Sequence, residues 1–321
     1  MTRAYNLGAL YDAATCGDGI ALIDVLDWEN PRTYTHSEID VAANALARGM
    51  QKRGLARGDA VAILAANRAE FVISFLGIVR AGLVAVPISH KFPRATIEYV
   101  LKHAAVKHVM CDAPRRGLVP AELSVTDYDE AGAFAALLDP GEFSAVRPRA
   151  GETAMILYTS GSTGVPKGVP LSHEGQLWAT RTRMKRGAPF NAQRLLVAAP
   201  LCHMNGLCTT LFVMASGASE VLMPEFHARH FLEAIARFRE RADDIICAIV
   251  DLTMPHVDGA ETFRELRRMR PGVRVILSSG YNEQDVTQRF VGKGLAGFIQ
   301  KPYQLSTLVA VLKEVLEKTR E

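Results

Sequence analysis

Ten consecutive residues, Thr159 to Gly168, combine side chains that suit the binding of a polyphosphate. Their hydroxyl groups can donate hydrogen bonds to phosphate oxygens, and Lys167 adds a mobile positive charge. The glycines let backbone N–H groups approach an anion closely. The spacing is not that of a Walker A loop, and a flexible Ser/Gly linker is the simpler alternative. The hydroxyl residues are Thr159, Ser160, Ser162 and Thr163, and the glycines are Gly161, Gly164 and Gly168.

The sequence on both sides of this loop extends the pattern. The run Y-T-S-G-S-T-G-V-P-K-G-V-P-L-S-H begins at Tyr158, and P-L-C-H-M-N-G begins at Pro200. Upstream lie G-D-A-V-A-I from Gly58 and G-I-V-R-A-G-L-V-A-V-P from Gly77. Together these segments resemble the adenylate-forming (AMP-binding) superfamily, in its acyl-CoA synthetase branch. The resemblance runs from about residue 5 to about residue 239.

This resemblance implies a reaction and a set of ligands. In such enzymes the loop holds the β- and γ-phosphates of ATP, a carboxylic acid attacks the α-phosphate, and coenzyme A then takes the acyl group. The resemblance implies that the hydroxyl residues and Lys167 hold phosphates, with Mg²⁺ as the accompanying cation. It places His203 beside the acyl-binding region, with a packed structural histidine as an equal alternative, and gives His173 a structural role.

A second group of candidate residues begins at Asp251, which ends an apolar run and opens D-L-T-M-P-x-x-D-G. S-S-G-Y follows at Ser278 and K-P-Y at Lys301. This order resembles the receiver domain of response regulators, especially receivers of hybrid sensor kinases. The resemblance implies that Asp251 accepts a phosphoryl group and binds Mg²⁺, that Ser279 and Lys301 contact that group, that Phe298 is the switch aromatic residue, and that a histidine kinase is the partner.

Each resemblance is partial. No Y-G-x-T-E segment, ribose-binding aspartate motif or adenylating lysine follows the loop, so we expect weak or absent adenylation by this chain alone. The first two strands of a receiver and its acidic pair are also missing. Asp243 and Asp244 precede the strand that ends at Asp251 and would lie about 20 Å from it, so they do not replace that pair.

Helices and strands alternate ahead of the loop, as a parallel sheet with crossover helices requires. Thr35 and Glu38 form a capping box before a helix with apolar positions from Ile39 to Met50. Asn67 is predicted to cap the next helix, and Gly82 to end it. Further strands are predicted at 60–64, 83–86, 108–111, 152–158, 195–199 and 221–223, and further helices at 94–101, 174–184, 207–215 and 230–239.

The pattern predicts an α/β fold in two parts. Residues 1–240 are expected to form a truncated adenylate-forming N-terminal region with parallel sheets and helices, and residues 241–321 the C-terminal half of a doubly wound, flavodoxin-like receiver. The junction is placed near Arg241, because a new series of strands follows, at 245–250, 273–277 and 297–300. Residues 112–149 lack long periodicity and are interpreted as a connection.

Charge and hydropathy argue against several classes of protein. The net charge is +3 without a Lys/Arg block, so we expect no nucleic-acid partner. Arg80 and Gly82 interrupt the longest apolar stretch, 71–89, which predicts a buried helix and strand instead of a membrane span. Residues 1–15 lack the apolar segment of a secretory signal. Five scattered cysteines without CxxC spacing favour free thiols in a reducing cytoplasm.

Three functional hypotheses remain open on the sequence. The first is a ligase that activates a carboxylic acid with ATP, based on the phosphate loop. The second is a signalling module in which Asp251 is phosphorylated. The third is a fusion of two truncated domains with little activity, based on the abrupt change near Arg241.

Overall fold

The computed structural model describes residues 4–159, 166–184, 190–225, 247–251, 263–264, 266–268, 272–279, 294–300, 307, 310–311 and 314–315. The chain divides into two compact units, residues 1–225 and 226–321. The predicted helix at 230–239 and the predicted junction near Arg241 lie outside the described residues. In the described part of the chain, no helix is both long enough and apolar enough to span a bilayer.

The first unit alternates strands and helices. Its strands are β1 (Ile20–Asp24), β2 (Arg32–Thr35), β3 (Ala60–Leu64), β4 (Val84–Pro87), β5 (Val106–Cys111), β6 (Ser124–Asp127), β7 (Thr153–Thr159), β8 (Lys167–Ser172), β9 (Arg194–Val197) and β10 (Ser219–Leu222). Its helices are α1 (Ala13–Cys16), α2 (His36–Lys52), α3 (Ala69–Arg80), α4 (Arg94–His103), α5 (Ala113–Arg116), α6 (Ala133–Leu137), α7 (His173–Met184) and α8 (Met204–Ser216), with a short 3₁₀ turn at Phe190–Ala192.

The described strands of this unit form two sheets. The larger has the order β6-β5-β3-β4-β7-β8, and the smaller has the order β2-β1-β10-β9. Strands β6, β5, β3, β4 and β7 are parallel, whereas β8 returns antiparallel to β7. In the smaller sheet β1, β10 and β9 are parallel and β2 is antiparallel to β1. The predicted α/β class with parallel sheets is therefore confirmed for this unit.

Local signals in the sequence locate most of these elements. Thr35 is the N-cap of α2 and forms a complete capping box with Glu38. Gly54, with φ of 83°, lies just beyond the helix end, where a left-handed residue is favoured. The apolar stretch 71–89 forms the buried helix α3 and strand β4, as predicted. Arg80 is buried within it because its guanidinium donates to Gly8 O and to Asp40.

Two predictions about this unit are wrong. Asn67 does not cap α3: Arg68 occupies the N-cap position, and its side chain makes no capping bond. The stretch 112–149 is more than a connection, because it contributes α5, α6 and the edge strand β6 of the larger sheet. Strand β6 escaped prediction because it is four residues long and only Thr126 in it is buried.

The second unit contains a smaller parallel sheet among its described residues. Strands β11 (Cys247–Asp251), β12 (Arg274–Ser279) and β13 (Gly297–Gln300) lie in that order. Ile276, Ile299 and Val315 form a small buried cluster beside them. The three strands occupy the positions that the sequence predicts, whereas a receiver fold for the unit stays a prediction.

Candidate functional site

The candidate phosphate loop joins the two strands of a hairpin. Thr159, the last residue of β7, pairs directly with Lys167, the first residue of β8. Both residues are exposed, and Pro166 beside them is buried. Ser160, Gly161, Ser162, Thr163 and Gly164 lie outside the described residues. The hairpin therefore holds a hydroxyl group and an ammonium group on facing strand ends, on either side of the loop.

Gly168 allows a close contact across this hairpin. It pairs with Tyr158, and a Cβ atom at position 168 would lie 3.0 Å from Cζ of that tyrosine and 3.1 Å from Cγ2 of Ile156. The hydroxyl oxygen of Tyr158 in turn lies 2.7 Å from Nδ1 of His103 on α4, and the two rings meet edge to face. Glycine at 168 thus makes room for a tyrosine that fixes the hairpin against the neighbouring helix.

Thr159 and Lys167, which flank the loop, lie at the carboxyl edge of the larger sheet. Strands β3, β4 and β7 are parallel, so the segments that follow Leu64, Pro87 and Thr159 emerge at one edge. Ligands of open α/β sheets bind at this edge. The segment after β4, Ser89 to Lys91, therefore belongs to the same region of the molecule as the candidate phosphate loop.

Asn67, in the segment after β3, ties this edge to the smaller sheet. Its side-chain amide donates to Ala199 O and Met223 O at 3.0 Å each, and its Oδ1 accepts from the N–H of Leu201 at 2.8 Å. Ala199 and Met223 follow β9 and β10, so the carboxyl edges of both sheets meet at one buried amide. The position of Asn67 in the sequence does not indicate this role, because its hydrogen-bond partners are distant in the chain.

Asn67 also fixes the segment that carries His203. This histidine precedes α8 as its N-cap residue without a capping bond, and it is exposed. Partial burial of the ring and then the charge of Lys91 lower its pKa, so the imidazole is neutral at neutral pH. The preceding Cys202 is buried, and burial raises the pKa of its thiol to about 11, although a hydrogen bond with Ser89 opposes this. His203 is thus an exposed neutral base near the segment after β4.

Two buried polar atoms at this edge have no hydrogen-bond partner among the described residues. They are Nδ1 of His90, after β4, and Oδ1 of Asp112, after β5. The other carboxylate oxygen of Asp112 accepts from Ala66 N and from Arg115, each at 2.9 Å. Buried groups of this kind ordinarily meet a water molecule or a ligand. Neither residue stands out in the sequence, because a single His or Asp after a strand carries no spacing signal.

In the second unit, the backbone brings two candidate residues to one edge. Asp251 ends β11 and pairs with Ser278, and Ser279 ends β12 and pairs with Gln300. Lys301 follows Gln300 directly but lies outside the described residues. Asp251 and Ser279 therefore lie at the carboxyl ends of adjacent parallel strands. No group of three or more potential metal ligands occurs in the described part of the chain.

Comparison with known proteins identifies relatives that activate carboxylic acids. The long-chain-fatty-acid–CoA ligase FadD13 of Mycobacterium tuberculosis is 29% identical over 231 residues, which are 68% of this chain and 45% of that protein. The 4-coumarate–CoA ligase 2 of Solanum tuberosum is 28% identical over 243 residues, 70% of this chain and 44% of that protein. The chain thus spans less than half the length of these curated relatives.

Solved structures share the fold. ATP-bound MatB from Rhodopseudomonas palustris matches 86% of this chain and 55% of its own, with a TM-score of 0.68 and 25% identity. The inhibitor-bound N-terminal domain of FACL13 from Mycobacterium tuberculosis matches 94% of this chain and 76% of its own, with a TM-score of 0.72 and 24% identity.

A family match covers most of the sequence. The family described as AMP-binding enzyme matches residues 11–303, so the match runs across the predicted junction near Arg241. The interpretation of residues 241–321 as part of a receiver therefore stays a prediction. On the extent of this match, the chain belongs to the AMP-binding enzyme family.

Proposed function

We propose that the chain takes part in ATP-dependent activation of a carboxylic acid, which forms an acyl-adenylate and pyrophosphate and then an acyl-CoA thioester. One observation carries the proposal: Thr159 and Lys167 face each other at the carboxyl edge of the larger sheet, on either side of a Ser/Thr/Gly loop. The acid–CoA ligases among the relatives support the same chemistry.

The loop residues bind the distal phosphates of ATP in this proposal. The hydroxyls of Thr159, Ser160, Ser162 and Thr163 and the backbone N–H groups of Gly161, Gly164 and Gly168 donate to phosphate oxygens. The ammonium group of Lys167 balances their charge. His203, neutral and exposed before α8, lies beside the acyl group. These residues bind and orient, which converts the attack of the carboxylate on the α-phosphate into a nearly intramolecular step.

The described donors suit ATP better than they suit a metal ion. At the hairpin they comprise one hydroxyl and one ammonium group, which match phosphate oxygens. Mg²⁺ prefers several oxygen ligands and is commonly held by substrate phosphates with one or two carboxylates. Mg²⁺ bound to ATP would neutralise phosphate charge. Coenzyme A enters as the co-substrate that accepts the acyl group.

We further propose that the 321-residue chain adenylates weakly by itself. Catalysis requires charge stabilisation at the α-phosphate, and the loop holds only the distal phosphates. No Y-G-x-T-E segment is found in residues 1–321.

ATP–pyrophosphate exchange with a panel of carboxylic acids tests the ligase proposal. We expect measurable exchange that falls at least about tenfold in Lys167→Ala, the loss expected for one charge-assisted phosphate contact. Lys107→Ala, which removes an exposed lysine from strand β5, is the matched control and should keep full exchange. Exchange that is equal in the Lys167→Ala and Lys107→Ala variants would refute an active site at this loop, and exchange absent from the native chain with every acid would show that the loop does not support adenylation in this chain.

Phosphorylation of Asp251 is a second candidate function, favoured by the parallel pairing that places Asp251 and Ser279 at one sheet edge. Incubation with acetyl phosphate and Mg²⁺ should add the mass of one phosphoryl group. The addition should be lost in Asp251→Asn and kept in Asp258→Asn, which changes the next acidic residue along the chain. If both assays fail, the third interpretation, an inactive fusion of two truncated domains, is the one that remains.

A further inference from the structure

The first unit contains a cleft of about 460 Å³ whose lining residues are not used by the proposed reaction. Its walls come from the chain at Ala4 and Tyr5, from residues 147–150 and from α7. The segment 147–150 leads into Thr153, the first residue of β7, whereas the phosphate loop follows Thr159, the last. At about 3.3 Å per residue, the cleft and the loop lie at opposite ends of this strand, about 20 Å apart.

The charge of the lining is strongly positive. Arg147, Arg149 and Arg181 line the cleft with Glu174 as the sole carboxylate among its lining residues, which leaves two net positive charges. Among the described residues, no carboxylate lies within ion-pair distance of these three guanidinium groups. By contrast, Arg57 nearby is neutralised by Glu152. An unpaired cluster of arginines in a concave site raises the local concentration of anions.

The contacts of these arginines fix them in place. The guanidinium of Arg147 lies 5.1 Å from the ring centroid of Tyr5, a cation–π contact, and its charge is retained. Arg181 donates to the carbonyl oxygen of Ala4. The backbone N–H of Arg149 donates to Glu152 at 2.5 Å. Two of the three guanidinium groups are thus held at the walls by the chain itself.

His173 is a neutral residue of the lining. Its Nδ1 accepts from the N–H of Leu7 at 3.1 Å, so the ring carries its proton on Nε2. Burial, acting against the charge of Glu152 and together with that of Arg57, lowers the pKa of this histidine to about 4. The imidazole therefore adds no charge to the lining at neutral pH.

We propose that this cleft is a second anion site, which binds a small phosphate-bearing molecule between Arg147, Arg149 and Arg181. Guanidinium groups are forked donors that match phosphate oxygens in pairs. Two net positive charges suit a ligand with at least two negative charges. The volume lies in the range of small-molecule sites and admits pyrophosphate or a mononucleotide.

Calorimetric titration of the full chain tests the site, with inorganic pyrophosphate and AMP as separate probes. All titrations use a Lys167→Ala background, so that binding at the proposed phosphate loop is weakened. We expect the Lys167→Ala chain to bind at least one of the two probes. The further substitutions Arg147→Ala/Arg149→Ala should weaken that binding at least about tenfold. Arg116→Ala, which removes an exposed arginine at the end of α5, is the control outside the cleft and should bind as the background does. Pyrophosphate without AMP would indicate a free phosphate ligand, and both would indicate a site that also admits a nucleotide.

A variant that is expected to tighten binding shows that weaker binding in the arginine variants is not caused by loss of folding. Glu174→Gln removes the negative charge from the lining and should tighten binding about two- to tenfold at low salt. No binding to the Lys167→Ala chain would overturn the site, and so would equal affinities for the Arg147→Ala/Arg149→Ala and Arg116→Ala variants. Because these outcomes are independent of ATP–pyrophosphate exchange, they separate failure of this site from failure of the proposed reaction.

Discussion

Asn67 accepts a hydrogen bond from the backbone N–H of Leu201, 134 positions later in the chain, at 2.8 Å. The same side chain donates to Ala199 O and Met223 O, and it is 2% exposed. Its acceptor and both of its donors are therefore used inside the protein. Because Leu201 lies two residues before His203, the segment that presents this candidate residue depends on an amide outside every motif.

Replacement of Asn67 by alanine should lower the free energy of unfolding by about 2–4 kcal/mol. The substitution leaves buried carbonyl and N–H groups of the backbone without partners, at about 1–3 kcal/mol each. Urea unfolding followed by circular dichroism measures the loss. Asn30→Ala is the matched control, because Asn30 is exposed and its side chain bonds to nearby Asp27. Equal stabilities of the two variants would show that Asn67 is not an anchor.

Gly168→Ala should disturb the hairpin that carries the phosphate loop. The new methyl group would lie 3.0 Å from Cζ of Tyr158 and displace its ring from His103. Overpacking of this kind costs about 1–3 kcal/mol, and we expect a lower thermal midpoint together with weaker pyrophosphate exchange. Gly117→Ala is the control, because a Cβ atom at Gly117 meets nothing within 4 Å and its φ is −66°. A Gly168→Ala chain as stable and active as the control would contradict the packing argument.

The features that the sequence predicted well are local. The capping box of Thr35 and Glu38 involves residues three positions apart, and strand β3 is a continuous buried run. The strand before the loop is likewise predicted, at 152–158, whereas strand β8 after it, whose Lys167 pairs with Thr159, is not. Such features depend on the backbone geometry and side-chain types of residues a few positions apart, and the sequence gives these neighbours directly.

The features that escaped prediction depend on distant partners. Asn67 was predicted to cap α3 because Asn commonly does so, but Ala199 and Met223, more than a hundred residues away, take its amide group. Glu220 lies in the short run S-E-V-L, of which all four residues are buried, and it precedes the strand predicted at 221–223. Competition between a local bond and a tertiary one is decided by packing, which the sequence does not state.

Glu220 should make stability fall as the pH rises from about 4.5 to about 8. Its carboxyl group is fully buried on β10 and accepts from the hydroxyl of Thr210 at 3.0 Å. Burial raises its pKa from 4.5 to about 8, although the Thr210 hydrogen bond opposes this. The folded chain thus keeps a proton that the unfolded chain releases, so stability is full below about pH 4.5 and is lost as the pH rises through about 8.

The variant Glu220→Gln isolates this effect. Glutamine keeps a hydrogen bond with Thr210 but has no proton to lose, so its unfolding free energy should decline less than that of the native chain between about pH 5 and about pH 8. Glu98→Gln changes an exposed glutamate on α4 and should follow the native curve. Parallel curves for Glu220→Gln and the native chain would mean that the buried carboxyl group does not titrate with folding.

His108 should have the opposite effect on the acid side. Its two ring nitrogens lie 2.9 Å from Oγ of Ser124 and 3.0 Å from Oγ1 of Thr126. Burial, aided by the charge of Arg53, lowers its pKa from 6.5 to about 4. Since the unfolded chain takes up the proton first, stability is full above about pH 6.5 and falls as the pH drops toward 4.

Carboxylates also titrate in this acid range. The test must therefore compare the free energy of unfolding of the native chain with that of a variant that lacks His108. His108→Gln retains a donor and an acceptor for the two hydroxyl groups but removes the titration. We expect the native chain to lose about 1–3 kcal/mol more than this variant as the pH falls across that interval. Urea unfolding at successive pH values measures the difference. A constant difference would show that the imidazole is protonated as easily in the folded chain as in the unfolded one, and the strand pair β5–β6 would then not be held by a neutral histidine.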